Sequence, residues 1–227
     1  MTNITAAFDR LRQDIRRAEA DFGRIPGSVT LLAVTKQRPV TDIRAAMACG
    51  QRHFAENYLQ EALAKINALN DPELIWHFIG PVQSNKTRLI GEQLHWVHSV
   101  DRVKIARRLH DARPDHLPPL NVCIQINISE ETSKAGITPA ELPVFIKECS
   151  RLNKLRLRGL MTLPEPSRDF EQQRAPFRRL KNLFDDARNI CPDLDTLSMG
   201  TTQDLRAAIA EGSTLVRIGT ALFGPRT

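Results

Sequence analysis

The stretch LLAVTKQRP carries an apolar run, Leu31 to Val34, and then a primary amine at Lys36. A solvated amine closing a strand is one reading. The other follows from the walls. An amine set among apolar residues has a lowered pKa and a nucleophilic neutral fraction, which is what a Schiff-base lysine requires. Near the other end of the chain, SMGTTQDLRAAI places Gly200 and two hydroxyls, Thr201 and Thr202, at an expected helix start, with Asp204 in the spacing of a capping box. That pattern serves either as an ordinary N-cap or as a cradle of amides and hydroxyls for a phosphate. Downstream, GSTLVRIGTALFG supplies Gly219 just after a strand, a second source of amides. Arg217 in the same stretch shares a strand face with Leu215 and Gly219 by period-two alternation. An arginine there either pairs with a buried carboxylate or meets a bound anion or a heterocycle nitrogen.

The elements that must position these groups alternate along the chain. After a charged amphipathic N-terminal helix, Pro26-Gly27 makes a break and VTLLAVT reads as a buried strand, followed by the helical pattern TDIRAAMACG. The alternation repeats. RHFAEN precedes a helix through Ala68, LIWHFIG one from Val82 to Ile90, and HWVHSV one from Asp101 to Leu109. LNVCIQINI leads to a helix from Pro139 to Cys149, LRLRGLMTL to a long helix from Phe170 to Ile190, and LDTLSMG to TQDLRAAIAEG, before the last strand, TLVRIG. Eight strand-helix units in 227 residues predict an α/β chain folded as a (β/α)₈ TIM barrel, one domain over residues 1–227 with an extra N-terminal helix. An open doubly wound sheet is the alternative, but the G-x-G-x-x-G turn of dinucleotide binders does not follow the first strand. In a barrel the strand tips form one rim, here Lys36, Asn57, Gly80, Ser99, Asn127, Met161, Ser198 and Arg217, and phosphate sites fall after strands seven and eight.

Composition removes several classes of function. Hydrophobic residues at 41% and charged residues at 26% describe an ordinary globular chain. No apolar run approaches a membrane span and the N-terminus does not resemble a secretory signal, so the expectation is a cytoplasmic protein without membrane contact. A net charge of +6 suits small phosphorylated anions. With 5% aromatics and no aromatic-basic interleaving, nucleic-acid binding is not expected. Cys49, Cys123, Cys149 and Cys191 never form C-x-x-C and read as reduced thiols. His95 and His98 are three apart on one strand, so they point to opposite faces and do not chelate a metal together. H-E-x-x-H and G-x-S-x-G motifs are lacking as well, and no metal site is expected.

Taken together, LLAVTK, FAENYLQE, WHFIGPVQSNK, LRLRGLMTLP, LSMGTTQD and GSTLVRIGTALFG resemble, from end to end, the YggS/PROSC family of pyridoxal 5′-phosphate (PLP) homeostasis proteins. The resemblance implies the fold-type III barrel shared with the N-terminal domains of alanine racemase and ornithine decarboxylase. It implies PLP as cofactor, held as a Schiff base on Lys36. Carried over by position, Ser198, Gly200 and Thr202 resemble the phosphate loop, with Gly219 beside it, and Arg217 the arginine facing the ring nitrogen or the phosphate. Asn57, His77 and Met161 resemble the lining of the ring pocket. The chain departs from the family at Ala55, where FGENY is usual, and at Thr201-Thr202, where LSMGMS is usual.

The implied role is intracellular PLP (vitamin B6) homeostasis without a defined catalytic reaction: the protein buffers PLP or delivers it to PLP-dependent apoenzymes, as a monomer. An arginine at the ring nitrogen cannot hand it a proton, which weakens the ring as an electron sink. A weakly active amino-acid racemase is the alternative. Racemases need a base on each face of the substrate, and in alanine-racemase relatives the second is a tyrosine from an added domain of the partner subunit. This chain has one tyrosine, Tyr58, and no residues left for such a domain. Lys134, in the loop SEETSKAGI after the fifth strand, reads either as an exposed loop lysine or as a transfer station for the aldehyde at the same rim.

Overall fold

The computed structural model describes residues 4–131 and 134–225. Eight strands, β1 (Thr30–Val34), β2 (His53–Glu56), β3 (Ile75–Phe78), β4 (Trp96–Val100), β5 (Leu120–Gln125), β6 (Leu155–Met161), β7 (Thr196–Ser198) and β8 (Leu215–Ile218), close in chain order into a barrel. All pairs are parallel, and β1 seals the ring by pairing Leu32 with Arg217 and Ala33 with Phe54. The helices are α1 (Ile4–Asp21), α2 (Val40–Ala48), α3 (Leu59–Leu69), α4 (Thr87–Gln93), α5 (Val103–Ala112), α6 (Leu142–Cys149), α7 (Phe170–Arg188), α8 (Leu205–Ala210) and α9 (Thr220–Phe223). The expected barrel and its extra leading helix are both present. Among the described residues no helix is long and apolar enough to cross a membrane.

Strand residues facing outward, among them Phe54, Trp76, Val97, Val122, Ile124, Leu160, Leu197, Val216 and Ile218, pack in one cluster with the inner faces of the helices. Each large side chain so buried contributes about 1.5–3 kcal/mol. The leading helix α1 buries Phe8, Leu11, Ile15 and Ala18 and packs against α2, α8 and α9. The buried carboxylate of Glu19 accepts the Gly27 and Val29 amides at 2.9 Å each, which sets the entry to β1.

Three expected helix starts are shifted for local reasons. A 3₁₀ turn, Ser84–Lys86, follows Pro81 and delays α4 to Thr87. Another, Pro139–Glu141, closed by a Thr138/Glu141 capping box, precedes α6. The Asp204 carboxylate takes both the Thr201 amide (2.6 Å) and the Thr201 hydroxyl (2.8 Å), so 201–204 is a turn and α8 begins at Leu205.

Branched aliphatic layers are usual inside such barrels. Here Leu32, Ala55 and Leu215 form one apolar patch and Trp96, Cys123 and Met161 another, while a hydrogen-bonded chain of polar side chains runs through the interior. His53 Nδ1 lies 3.0 Å from His77 Nε2, His77 Nδ1 2.9 Å from His98 Nε2, and His98 Nδ1 2.8 Å from Ser198 Oγ. Arg217 donates to the same hydroxyl at 2.9 Å. A guanidinium only donates, so the Ser198 hydroxyl accepts from Arg217, and neutral imidazoles, each with one N–H and one acceptor nitrogen, carry the chain onward to His53. The chain is neutral: burial first, with Arg217 second, brings the His98 pKa down to about 3, and burial with the neighbouring histidines holds His77 well below 6.5.

Acid sensitivity follows. Both folded-state values lie below the unfolded value, so the unfolded chain takes up protons first as pH falls. Stability is full above about pH 6.5 and declines toward pH 3, by up to about 1.4 kcal/mol per pH unit for each histidine. Urea unfolding between pH 7.5 and 5 should show this slope, and His98→Gln should flatten it by one histidine's share. A wild-type stability independent of pH across that range would refute the neutral chain.

Candidate functional site

At the C-terminal tips of the strands lies a cavity of about 550 Å³. Lys36, Asn57, Met161, Thr202, Arg217 and Gly219, all expected site residues, line it together. Val34, Ile79, Pro81 and Leu163 supply apolar wall, and Gln125, Thr201, Gln203 and Thr220 further polar groups. Three expected residues do not line it. His77 and Ser198 belong to the interior chain one layer deeper, and both are buried. Gly200 sits behind the 201–204 turn with φ +99°, where a Cβ would come within 2.6 Å of the Ala208 Cβ, so it lets the turn pack on α8.

Lys36 is half-buried on a turn that follows β1. The turn is held on both sides of the lysine. Before it, the Thr35 amide bonds the Ala55 carbonyl at 3.0 Å and the Thr35 hydroxyl donates to Glu56 Oε1 at 2.5 Å. After it, the Gln37 amide donates to Glu61 Oε1 at 2.5 Å. The centre of this arrangement is the buried ammonium of Lys65 on α3, whose three protons go to the Thr35 carbonyl (2.6 Å), Glu56 Oε1 (2.7 Å) and Glu61 Oε1 (2.6 Å). Glu56 is fully buried, which raises its pKa against the lowering by Lys65 and Thr35. Ala55, the departure from the family pattern, is the third residue of β2 and faces the barrel interior, so no turn precedes Glu56.

On the opposite wall, Arg217 donates to the Ser198 carbonyl at 2.6 Å and to the Thr162 carbonyl at 2.9 Å, besides the Ser198 hydroxyl. Burial lowers its pKa to about 10, and it stays charged at neutral pH. The buried carboxylate that could have explained it is not among these partners. Thr202 and Gly219 come together where β8 meets α9, the Thr202 hydroxyl accepting the Ala221 amide at 3.4 Å. A Cβ on Gly219 would meet the Val34 carbonyl at 3.2 Å.

The remaining rim residues support the cavity. A Cβ at Gly80 would fall 2.0 Å from the Asn57 carbonyl, so only glycine lets the end of β3 lie against Asn57. Ser99 donates to the Gly80 carbonyl. Asn127 ties the following loop by donating to the Glu131 carbonyl at 2.7 Å. Thr132 and Ser133 of that loop lie outside the described residues. Lys134 pairs with Glu131 at 2.7 Å and approaches Glu165 at 3.8 Å. It lines a second cavity of about 560 Å³ that shares Gln125, Ala135, Leu163, Thr201 and Gln203 with the first.

Lys65 and Glu61 were invisible to sequence reasoning as site residues. Their i,i+4 spacing reads as a routine helix-surface pair. The available signal was Glu56, a carboxylate closing the short strand HFAE after Phe54 and Ala55.

Comparison with known proteins supplies the family. The family model described as alanine racemase, N-terminal domain, matches residues 7–227. A pyridoxal phosphate homeostasis protein of Pseudomonas aeruginosa is 54% identical over 226 residues, covering 100% of this chain and 97% of that protein. PipY of Synechococcus elongatus, solved with PLP bound, is 37% identical with a TM-score of 0.81, over 92% of this chain and 100% of that one. An alanine racemase of Corynebacterium glutamicum shares the fold at 13% identity, with a TM-score of 0.75 over 97% of this chain and 62% of the racemase. The chain belongs to the alanine racemase N-terminal domain family, among its pyridoxal phosphate homeostasis proteins.

Proposed function

We propose that the protein binds PLP covalently through Lys36 and holds it for delivery, with no turnover reaction of its own. The observation that carries this reading is the pairing, across one cavity, of a lysine on a fixed turn with a buried arginine that bonds no carboxylate among the described residues. The residues fit such a cofactor. Arg217 bonds no carboxylate among the described residues and feels Asp204 only through space, so a phosphorylated aromatic would add the nearer counter-charge, and the Oδ1 of Asn57 is buried without a hydrogen-bond donor. When bound, PLP would supply an aldehyde for condensation with the Lys36 amine, with loss of one water. Arg217 provides fixed positive charge to the ring nitrogen or the phosphate. Thr202 and Gly219 form the phosphate end with Thr201, while Ser198 and Gly200 act from behind by fixing Arg217 and the 201–204 turn. Asn57 and Met161 flank the ring, and His77 supports that wall from the interior chain.

Holding rather than turning over is favoured by what surrounds the lysine. Tyr58, the one tyrosine, is 59% exposed and does not line the cavity, so it offers no second base. We place the protein in the cytoplasm as a monomer acting as one unit, with PLP-dependent apoenzymes as acceptors.

Borohydride treatment of the PLP-loaded protein, followed by peptide mass spectrometry, should find a pyridoxyl-phosphate adduct on Lys36 and bleach the yellow absorbance. A colourless protein with Lys36 unmodified would withdraw the assignment. Lys134, beside the adjoining cavity, serves as a transfer station in this reading. Lys134→Ala should therefore slow release to an apoenzyme several-fold while leaving the Lys36 adduct intact, and unchanged transfer kinetics would remove that role.

A further inference from the structure

We propose that Lys65 is a positioning residue for Lys36, acting with Glu56 and Glu61 to preset the turn that presents the reactive amine. The inference rests on the assignment of Lys36 as the PLP-binding lysine. The Lys65 ammonium is buried and its three protons are all spent, one on the Thr35 carbonyl directly before Lys36 and two on carboxylates. One of those carboxylates, Glu61, holds the Gln37 amide directly after Lys36, and the other, Glu56, holds the Thr35 hydroxyl. The lysine thus rides between two residues tied to a single cation.

Two features say that this cluster does more than stabilise the fold. One cation and two carboxylates are gathered under a buried strand end, a combination that well-packed apolar residues often replace without loss of stability. The turn also keeps Gln37 at φ +60°, a conformation unfavourable for a residue with a side chain. Glu61, by accepting the Gln37 amide, favours that conformation. A strained turn held from a buried charge cluster is a device for fixing geometry at a reactive group. The amine has to meet the aldehyde carbon at bonding distance while the rest of the cofactor is held by residues on the far wall. A turn free to relax would lower covalent capture and leave non-covalent binding to Arg217, Thr202 and Gly219 intact.

The test separates these two kinds of binding. Affinities are measured for PLP and for pyridoxine 5′-phosphate, which carries the ring and phosphate but an alcohol in place of the aldehyde. Lys65→Met should weaken PLP binding at least tenfold and leave the pyridoxine phosphate affinity within about twofold. Glu61, partly exposed on the first turn of α3, gives a milder pair of variants should Lys65→Met fail to fold. Glu61→Ala should lower PLP affinity several-fold, and Glu61→Gln, which keeps an acceptor for the Gln37 amide, should restore it. Wild-type PLP capture in these variants would overturn the proposal, and so would an equal loss of both ligands. Absence of a Lys36 adduct in the wild type would instead strike the functional assignment itself.

Discussion

Arg217 carries a positive charge inside the barrel and, among the described residues, bonds two carbonyls and a hydroxyl but no carboxylate. An unpaired buried charge costs several kcal/mol, and the surroundings answer that cost in two directions. Below, Ser198 and the three histidines replace the usual aliphatic layer with a chain of neutral hydrogen-bonding groups. Above, the guanidinium meets the cavity, where in the proposed reading an anionic ligand adds counter-charge. In that reading stability and ligand binding share one side chain.

The other wall is organised around a cation of opposite character. Lys65 is saturated by its partners and acts only on its own neighbourhood, whereas Arg217 keeps charge available to the cavity. In the proposed reading one fixes the position of the Lys36 amine and the other the place of a negative charge, and β1 lies between them, paired to β2 on one side and β8 on the other. The barrel of alanine racemase is built alike, yet this chain covers 62% of the length of such an enzyme.

Much of this was legible in the sequence because strand and helix periodicity is a local property. The apolar runs at Leu31–Val34 and Leu120–Ile124 and the helical spacing between them were enough to order the eight units. Residues at strand tips, Lys36, Asn57, Met161 and Arg217, were legible for the same reason: a tip is located by its strand. Depth was not. Ser198 and His77 point inward as alternation requires, but one layer below the cavity, and that follows from strand stagger, which no single segment records. The start of α8 was displaced because Asp204 bonded Thr201 instead of letting the helix begin there. The Lys65 cluster was hidden because it joins a helix face to a turn almost thirty residues away, a tertiary meeting with no local signature.

Holding without turnover is the central claim, and proton NMR of the PLP-loaded protein with L-alanine in D₂O tests it most directly. The account predicts that the Cα hydrogen of alanine persists over hours, while the same loaded protein restores activity to a PLP-dependent apoenzyme within that time. Steady replacement of the Cα hydrogen by deuterium at a useful turnover, abolished by Lys36→Ala, would contradict it and establish an enzyme acting on amino acids.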